Sequence, residues 1–273
     1  MHSLTLHSQP FTKELTMMRH VLNPPNWLTA VGMFCSVYAL ALLLAADEIT
    51  SEILVRASVL VVVGGMCDLL DGHVARLMHR ASAFGAQLDS IADIISFGVV
   101  PALIAWCWKL HALEHLGIPI TCWFVLCTAF RLARFNVNEQ EDFWPFAGHS
   151  QGLTSTMAGG SLITLVWVSN GYLAEVLNPS PAAVGALIVA LGFLMVSSIP
   201  YRNFRDVRRN AYARYWLAMS LAACLAAALV WDVSMYWGLG ALIYLTWGLV
   251  DGLVIATRHR LQQKDPAMAT EDA

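Results

Sequence analysis

Stretches of about 20 mostly apolar residues, the length that a helix needs to cross the hydrocarbon core of a bilayer, follow one another along most of this chain of 273 residues. Charged residues make up 13% of the sequence and hydrophobic residues 58%. That composition excludes a disordered chain, a nucleic-acid-binding protein and an ordinary soluble domain. We therefore predict an all-α, polytopic membrane helix bundle.

The sequence predicts about eight membrane spans, and its cationic residues predict their orientation. The spans lie, to within a few residues, at 27–46, 53–77, 85–109, 118–136, 153–172, 182–199, 213–231 and 235–257. With the N-terminus inside, all of the 16 Lys and Arg residues except Arg56 and Lys109 fall on the cytoplasmic side. Because Lys and Arg favour that side, both termini are predicted to be cytoplasmic. A bacterial inner membrane is the expected location.

The chain is predicted to form one membrane-embedded domain, residues 1–258, followed by a polar tail at 259–273. Residues 1–22 mix polar and apolar side chains and are predicted to form a short amphipathic helix on the membrane surface. No internal repeat or linker divides the sequence, so no second domain is expected.

Four aspartates interrupt the second and third predicted spans. Asp68 and Asp71 are three residues apart, and Asp89 and Asp93 are four apart. On a helix, each spacing places both carboxylates on one face. The polar turn between the two spans folds the third span back against the second. The two pairs are therefore predicted to converge near the cytoplasmic surface.

Four carboxylates in one place require positive charge, because a single aspartate at the centre of a membrane helix already costs about 2.5–3.5 kcal/mol. Two divalent cations would neutralise the group, and oxygen-only ligands favour Mg²⁺ or Mn²⁺. A two-metal carboxylate site suits displacement at phosphorus. Gly72 and Gly85 leave space there for a phosphate or a nucleotide. The alternatives are a buried polar contact between helices and a solvated loop at the membrane edge.

The aspartates belong to a longer pattern, D-x2-D-G-x2-A-R-x8-G-x3-D-x3-D. It is met at Asp68, Asp71, Gly72, Ala75, Arg76, Gly85, Asp89 and Asp93. This pattern resembles the signature of the CDP-alcohol phosphotransferase family. The resemblance implies an integral-membrane enzyme that transfers a phosphatidyl or phospho-alcohol group from a CDP-activated donor and releases CMP.

The resemblance also implies a role for each residue of the pattern. Asp68, Asp71 and Asp89 would be metal ligands, and Asp93 would be the general base, also close to the second metal. An alcohol is a weak nucleophile at neutral pH and gains from a positioned carboxylate. Many members of the family are homodimers, so a homodimer is expected on the resemblance alone. The residues that would border the CDP moiety are Gly72, Ala75, Arg76 and Gly85.

A second segment concerns the acceptor. Residues 131–136, R-L-A-R-F-N, resemble the serine-using branch of the family, which implies CDP-diacylglycerol as donor and L-serine as acceptor. Arg131 and Arg134 lie three residues apart, on one helix face at the predicted inner surface. Their guanidinium groups are predicted to hold the serine carboxylate or a donor phosphate. The alternative is anchoring to anionic lipid headgroups.

Departures from that branch leave other functions open. Thr154 and Thr156 stand where the serine-using branch has prolines, and the preceding segment, 143–151, is longer and more polar. The acceptor would then be glycerol 3-phosphate or an inositol derivative. A divalent-cation transporter built on the aspartates is the alternative from another class of protein. Asp251, in the eighth span, is predicted either to contact another helix or to face the cavity.

Overall fold

The structure, a computed structural model, describes residues 23–78, 83–141, 149–202 and 232–264. These residues are mostly helical. The α-helices are α1 (Pro24–Leu44), α2 (Ser51–Leu77), α3 (Ala83–Asp93), α4 (Val100–Trp108), α5 (Gly117–Glu141), α6 (Ser155–Asn170), α7 (Pro181–Val196) and α8 (Val233–Lys264). A π-helical segment (Ile94–Val99) joins α3 to α4, and a 3₁₀ segment (Leu110–Leu116) precedes α5. Two short strands are β1 (His149–Gln151) and β2 (Pro200–Arg202).

Helices α1 and α2 pack backbone against backbone. A Cβ added to Gly32 would lie 2.8 Å from the Gly64 carbonyl oxygen, and one added to Gly64 would lie 2.7 Å from the Gly32 carbonyl oxygen. A real Cβ needs more room than that, so both positions require glycine at this separation. The contact draws the N-terminal half of α1 against the C-terminal half of α2, where two of the predicted aspartates lie.

Helices α3 and α4 form one long helix that changes its hydrogen-bond register in the middle. Pro101 has no N–H to donate to the Phe97 carbonyl four residues before it, and the N–H of Val100 bonds to Ile95, five residues back. The backbone of α6 approaches the same place, since a Cβ on Gly159 would lie 2.3 Å from the Phe97 carbonyl oxygen. Single π-helical turns often lie beside functional sites, and this one begins directly after Asp93.

The strands form a two-stranded antiparallel ribbon in which Ser150 pairs with Tyr201. Helix α8 lies across this ribbon, because a Cβ on Gly248 would meet the Tyr201 ring at 2.8 Å and one on Gly252 would meet the Pro200 carbonyl at 2.4 Å. The all-α prediction misses the ribbon, because segments of three residues are too short to show a strand pattern. The buried apolar side chains of α4, α5, α6 and α7 form the centre of the core.

Large apolar side chains also cover the outside of the helices, including Phe34, Leu69 and Phe130. Such a surface is typical of a lipid-facing protein. Five described helical stretches are long and apolar enough to cross a membrane: Pro24–Leu44, Ser51–Gly72, Phe84–Trp108, Leu110–Asn138 and Val233–Ile255. The prediction of a mostly helical membrane protein is confirmed at this level.

The five stretches coincide with the first four predicted spans and the eighth. At the fifth and sixth predicted spans lie α6 and α7, each of 16 residues, which is shorter than the ~20 residues of a typical span. The seventh predicted span, 213–231, and the predicted surface helix at 1–22 lie outside the described residues. Helix α8 continues to Lys264, into the predicted tail.

Candidate active site

Three of the four predicted carboxylates meet in one cluster. One carboxylate oxygen each of Asp68, Asp71 and Asp89 lies within 4.8 Å of the other two. The first two project from neighbouring turns of α2 and the third from α3, so the cluster bridges the two helices. Asp71 is buried, with 5% of its surface exposed, whereas Asp68 is half-buried and Asp89 is exposed.

Asp93 lies one turn further along α3 and is half-buried. Its carboxylate interacts electrostatically with those of Asp89 and Asp71, and also with the guanidinium of Arg131 on α5. Asp93 is therefore influenced both by carboxylates of the cluster and by the cationic side chain of Arg131. A carboxylate beside such a cluster can accept a proton from a hydroxyl group.

A hydroxyl group from α1 fixes the buried member of the cluster. Thr29 donates a hydrogen bond to the Asp71 carboxylate, and its own surface is buried. The close contact of Gly32 with Gly64 lies one turn from Thr29 along α1 and two turns from Asp71 along α2, and it holds the two helices close together. Sequence reasoning did not single out Thr29. Thr29 lies in the segment Pro25–Thr29 that opens the first helix, and such a segment is also typical of an ordinary helix start, so it gave no clear sign of a functional residue.

The two arginines of the R-L-A-R-F-N segment have different surroundings. The Arg131 guanidinium, 8% exposed, donates to Ser155 Oγ at 2.8 Å and lies over the Phe135 ring, 5.4 Å from its centroid. Arg134 donates instead to backbone carbonyls at the end of α7 and in β1. Its acceptors are Val196 at 2.7 Å, Gln151 at 2.9 Å, Met195 at 2.9 Å and Ser197 at 3.1 Å.

The last residue of the segment connects α5 to α3. Asn136 Nδ2 donates to Ser90 Oγ at 3.2 Å, and Ser90 is the residue that follows Asp89. The segment therefore reaches the carboxylate site through the hydrogen bond of Asn136 and influences Asp93 electrostatically through Arg131. The sequence assigned Arg131 to this site but not Asn136.

The remaining residues of the signature lie on the same two helices. Gly72 follows Asp71 on α2, and Gly85 lies one turn before Asp89 on α3; both glycines are half-buried. Ala75 and Arg76 belong to the last turns of α2, and the structure describes their backbone.

Asp251 lies on α8, with its carboxylate 3.9 Å from His149 Nε2 of β1. The sequence had left two environments open for this residue. It therefore makes a contact between elements.

The chemistry of the cluster fits a divalent cation. Its three donors are carboxylate oxygens, the ligands that Mg²⁺ and Mn²⁺ prefer. Asp68 experiences electrostatic repulsion from Asp93, Asp89 and Asp71, and a bound cation would remove that repulsion. The cluster can therefore hold a metal ion.

Comparison with known proteins agrees with this geometry. The family model for CDP-alcohol phosphatidyltransferase matches residues 22–244. The chain belongs to this family. It is accordingly an integral-membrane transferase of phospholipid biosynthesis that uses a CDP-linked donor and an alcohol acceptor. Membership of this family favours the transferase over the alternative, a divalent-cation transporter.

Similar curated proteins are named CDP-diacylglycerol–serine O-phosphatidyltransferase. The one from Helicobacter pylori is 32% identical over 86% of this chain and 92% of its own length. The one from Methanocaldococcus jannaschii is 31% identical over 72% of this chain and 85% of its own length. The one from Bacillus subtilis is 30% identical over 66% of this chain and 90% of its own length.

Proposed function

We propose that this protein transfers the phosphatidyl group of CDP-diacylglycerol to the hydroxyl of L-serine, in a metal-dependent reaction that gives phosphatidylserine and CMP. The observation that carries the proposal is the carboxylate cluster of α2 and α3, which lies one helical turn from Asp93. The names of the similar proteins support serine as the acceptor.

Asp68, Asp71 and Asp89 would hold the divalent cations, Mg²⁺ or Mn²⁺, with Asp93 close to the second ion. Bound there, the cations would supply Lewis-acid stabilisation of the charge on the phosphate oxygens. Gly72, Ala75, Arg76 and Gly85 are proposed to border the CDP moiety. Thr29 would hold the Asp71 carboxylate in a fixed orientation.

Asp93 would accept the proton of the serine hydroxyl. The serine oxygen then forms a bond to the phosphorus that carries diacylglycerol, and the bond from that phosphorus to the CMP oxygen breaks. Arg131 would hold the serine carboxylate through paired hydrogen bonds. Arg134 was predicted for the same site, and through its four carbonyl acceptors it would fix β1 and the end of α7 around it.

We also propose the topology in which this reaction takes place. Eight spans with both termini in the cytoplasm put the aspartates at the cytoplasmic surface of a bacterial inner membrane. The distribution of Lys and Arg supports this orientation. The acyl chains of the donor would stay in the bilayer during the reaction, which requires a lateral opening between helices. A homodimer stays a prediction from the family resemblance.

One observation supports alcohols other than serine as alternative acceptors. Thr154, where the serine-using branch has proline, is the N-cap of α6 and directly precedes Ser155, the hydrogen-bond partner of Arg131. An altered residue so close to Arg131 can change which alcohol fits. Glycerol 3-phosphate and an inositol derivative are therefore the alternative acceptors.

The test is CMP release from CDP-diacylglycerol by the purified protein with Mg²⁺ or Mn²⁺. Serine, glycerol 3-phosphate, inositol and inositol phosphate are offered separately. We expect CMP release with serine and none with the other three acceptors. Release with another acceptor and none with serine would keep the chemistry and overturn the serine assignment.

A further inference from the structure

A cavity of about 630 Å³ lies at the end of the helix bundle that is opposite to the carboxylate cluster. Its wall includes Ser51, the first residue of α2, whereas Asp68 lies near the other end of the same helix. Since a helix rises 1.5 Å per residue, the two residues are about 25 Å apart along the axis of α2. That distance approaches the thickness of the hydrocarbon core of a bilayer. The cavity therefore lies near the membrane interface that the active site does not face.

The wall of this cavity is mostly apolar, and part of it is open to the surroundings of the bundle. Leu54 is buried, whereas Leu44 and Ile49 line the cavity with 74% and 40% of their surfaces exposed. Trp106 and Trp108 of α4 add two indole rings, and tryptophan is enriched at membrane interfaces. The volume is in the range of pockets that bury a molecule of drug size. The wall therefore suits a molecule that has an apolar part and is present at the interface.

A lysine side chain adds a positive charge to this wall. Lys109 directly follows α4; its Nζ donates to Asn178 Oδ1 at 2.8 Å and lies 5.7 Å from the centroid of the Trp108 ring. Within the part of the chain that the structure describes, Lys109 forms no ion pair, whereas Arg56 near the same end of α2 is paired with Glu52. An ammonium group has three N–H donors, so the bond to Asn178 leaves donors for an anionic group of a ligand.

Two acidic residues lie beside the same cavity. Asp47 and Glu48 are exposed in the loop between α1 and α2, and this loop segment lies between two residues of the wall, Leu44 and Ile49. A cation in the wall and carboxylates beside it are complementary to a zwitterion that carries a phosphate and an ammonium group a few bonds apart. An anionic headgroup would instead bring a further negative charge close to Asp47 and Glu48.

We propose that this cavity binds one zwitterionic phospholipid of the surrounding bilayer, with its phosphate at Lys109 and its ammonium group facing Asp47 and Glu48. An acyl chain of the lipid covers the exposed surfaces of Leu44 and Ile49. The wall combines residues from the ends of α1, α2, α4 and α6, so the bound lipid holds these ends together. The proposal is independent of which alcohol the active site accepts.

The test is lipid binding to the purified full chain in detergent, measured by native mass spectrometry at stepwise lipid concentrations. Phosphatidylethanolamine and phosphatidylcholine are the zwitterionic probes, and phosphatidylglycerol is the anionic probe. The first zwitterionic lipid should bind about threefold more tightly than phosphatidylglycerol, the order of an effect between exposed charges. Lys109→Gln should raise the Kd for phosphatidylethanolamine about tenfold, the order of one hydrogen bond to a charged group.

Two variants control for the loss of a positive charge. Arg56→Gln removes a cation near the same end of α2 that is already paired with Glu52, and it should leave the Kd for phosphatidylethanolamine unchanged. Lys109→Arg keeps the charge and should retain most of the binding. Unfolding temperatures without added lipid show whether each variant is folded. Added phosphatidylethanolamine should raise the unfolding temperature of the wild type more than that of Lys109→Gln, because a ligand of the folded state stabilises it.

Two further variants test the headgroup and the cavity separately. The double variant Asp47→Asn, Glu48→Gln should bind the zwitterionic and the anionic lipids equally well. Ile49→Trp places a large side chain in the wall from the loop before α2, so it fills part of the cavity without altering a helix. This variant should weaken the binding of all three lipids.

Three results would overturn the proposal. Equal Kd values of the three lipids for the wild type would show that lipid only surrounds the bundle without a specific site. The same Kd for phosphatidylethanolamine in the wild type and in a folded Lys109→Gln would show that Lys109 does not bind the phosphate. Tighter binding of phosphatidylglycerol than of the zwitterionic lipids would show that Asp47 and Glu48 do not select the headgroup.

Discussion

The two sides of the proposed site are held together in different ways. The carboxylate side rests on backbone contacts between neighbouring helices, in which Gly32 and Gly64 of α1 and α2 leave no room for a side chain. The Arg131 side rests on arginine hydrogen bonds, by which Arg131 joins α5 to α6 and Arg134 joins α5 to β1 and to the end of α7. A backbone contact does not accommodate an added side chain, whereas a side-chain network can be altered one residue at a time. We infer that the first side fixes the chemistry and the second selects the acceptor.

The largest effect on activity is expected from a substitution of Asp93. Asp93→Asn removes the proposed general base and should lower kcat by about 10²–10⁴-fold, the usual contribution of general base catalysis. The measurement is CMP release at saturating donor and serine. Asp251→Asn is the matched control, because Asp251 contacts His149 of β1, and it should retain most of the activity. Equal losses in both variants would contradict a special role for Asp93.

The second prediction concerns the carboxylate side alone. Thr29→Val removes the hydrogen bond to Asp71 and should weaken Mn²⁺ binding by about 10–100-fold, as loss of an outer-shell partner of a metal ligand does. Titration of the purified protein with Mn²⁺, followed by electron paramagnetic resonance, measures the affinity without any turnover. Thr164→Val is the control, since Thr164 donates to a carbonyl of its own helix. Unchanged affinity in Thr29→Val would show that Asp71 needs no such support.

A third prediction tests the backbone contact behind Asp93. In Gly159→Ala the new methyl group would lie 2.3 Å from the Phe97 carbonyl oxygen, so α6 must move away from the π-helical segment. Overpacking of this kind costs about 1–3 kcal/mol, which should lower the unfolding temperature in detergent. The neighbouring Gly160→Ala has nothing within 4 Å of its added carbon and should unfold like the wild type. Similar unfolding of both variants would mean that the helices separate easily.

The smallest expected effect is a pH dependence at the ribbon beneath α8. Burial, together with the neighbouring Tyr244, raises the pKa of Tyr201 to about 12, from the ordinary value of 10.0. The neutral phenol is therefore favoured in the folded state, and its contribution to stability is complete below about pH 10. That contribution is lost as the pH rises from about 10 to about 12, because the unfolded chain ionises first.

Tyr201→Phe has no phenol to ionise, so its unfolding temperature should fall less between pH 9 and pH 11 than that of the wild type. The expected difference in stability is ~1 kcal/mol or less, since one pKa unit corresponds to 1.36 kcal/mol. Thermal unfolding of both proteins at the two pH values measures the difference. Parallel curves for the two proteins would contradict the burial of a neutral Tyr201.

The carboxylate side was largely predictable from the sequence. Asp68 and Asp71, like Asp89 and Asp93, are close in sequence, and helical periodicity alone puts each pair on one face. The π-helical turn after Asp93 could have been anticipated from Pro101, which removes a backbone donor within a long helix. The number of eight spans stays a prediction, because α6 and α7 have 16 residues each and the seventh predicted span lies outside the described residues.

The other contacts join residues that are far apart in the chain. Thr29 of α1 donates to Asp71 of α2, and Arg131 of α5 donates to Ser155 of α6. No local pattern encodes such pairs, since each residue alone is ordinary for its helix. Arg131 and Arg134 illustrate the same limit: their spacing made them equivalent in the sequence, and tertiary contacts gave them different partners.

The proposal that the chain makes phosphatidylserine from CDP-diacylglycerol and serine is tested most directly by the product lipid. Purified protein is incubated with Mg²⁺ or Mn²⁺, CDP-diacylglycerol and isotopically labelled serine. The lipids are then extracted and identified by mass spectrometry. We expect labelled phosphatidylserine in an amount equal to the CMP released, and about 10²–10⁴-fold slower formation of it with Asp93→Asn. CMP release without label in the lipid, or with another alcohol in its place, would contradict it.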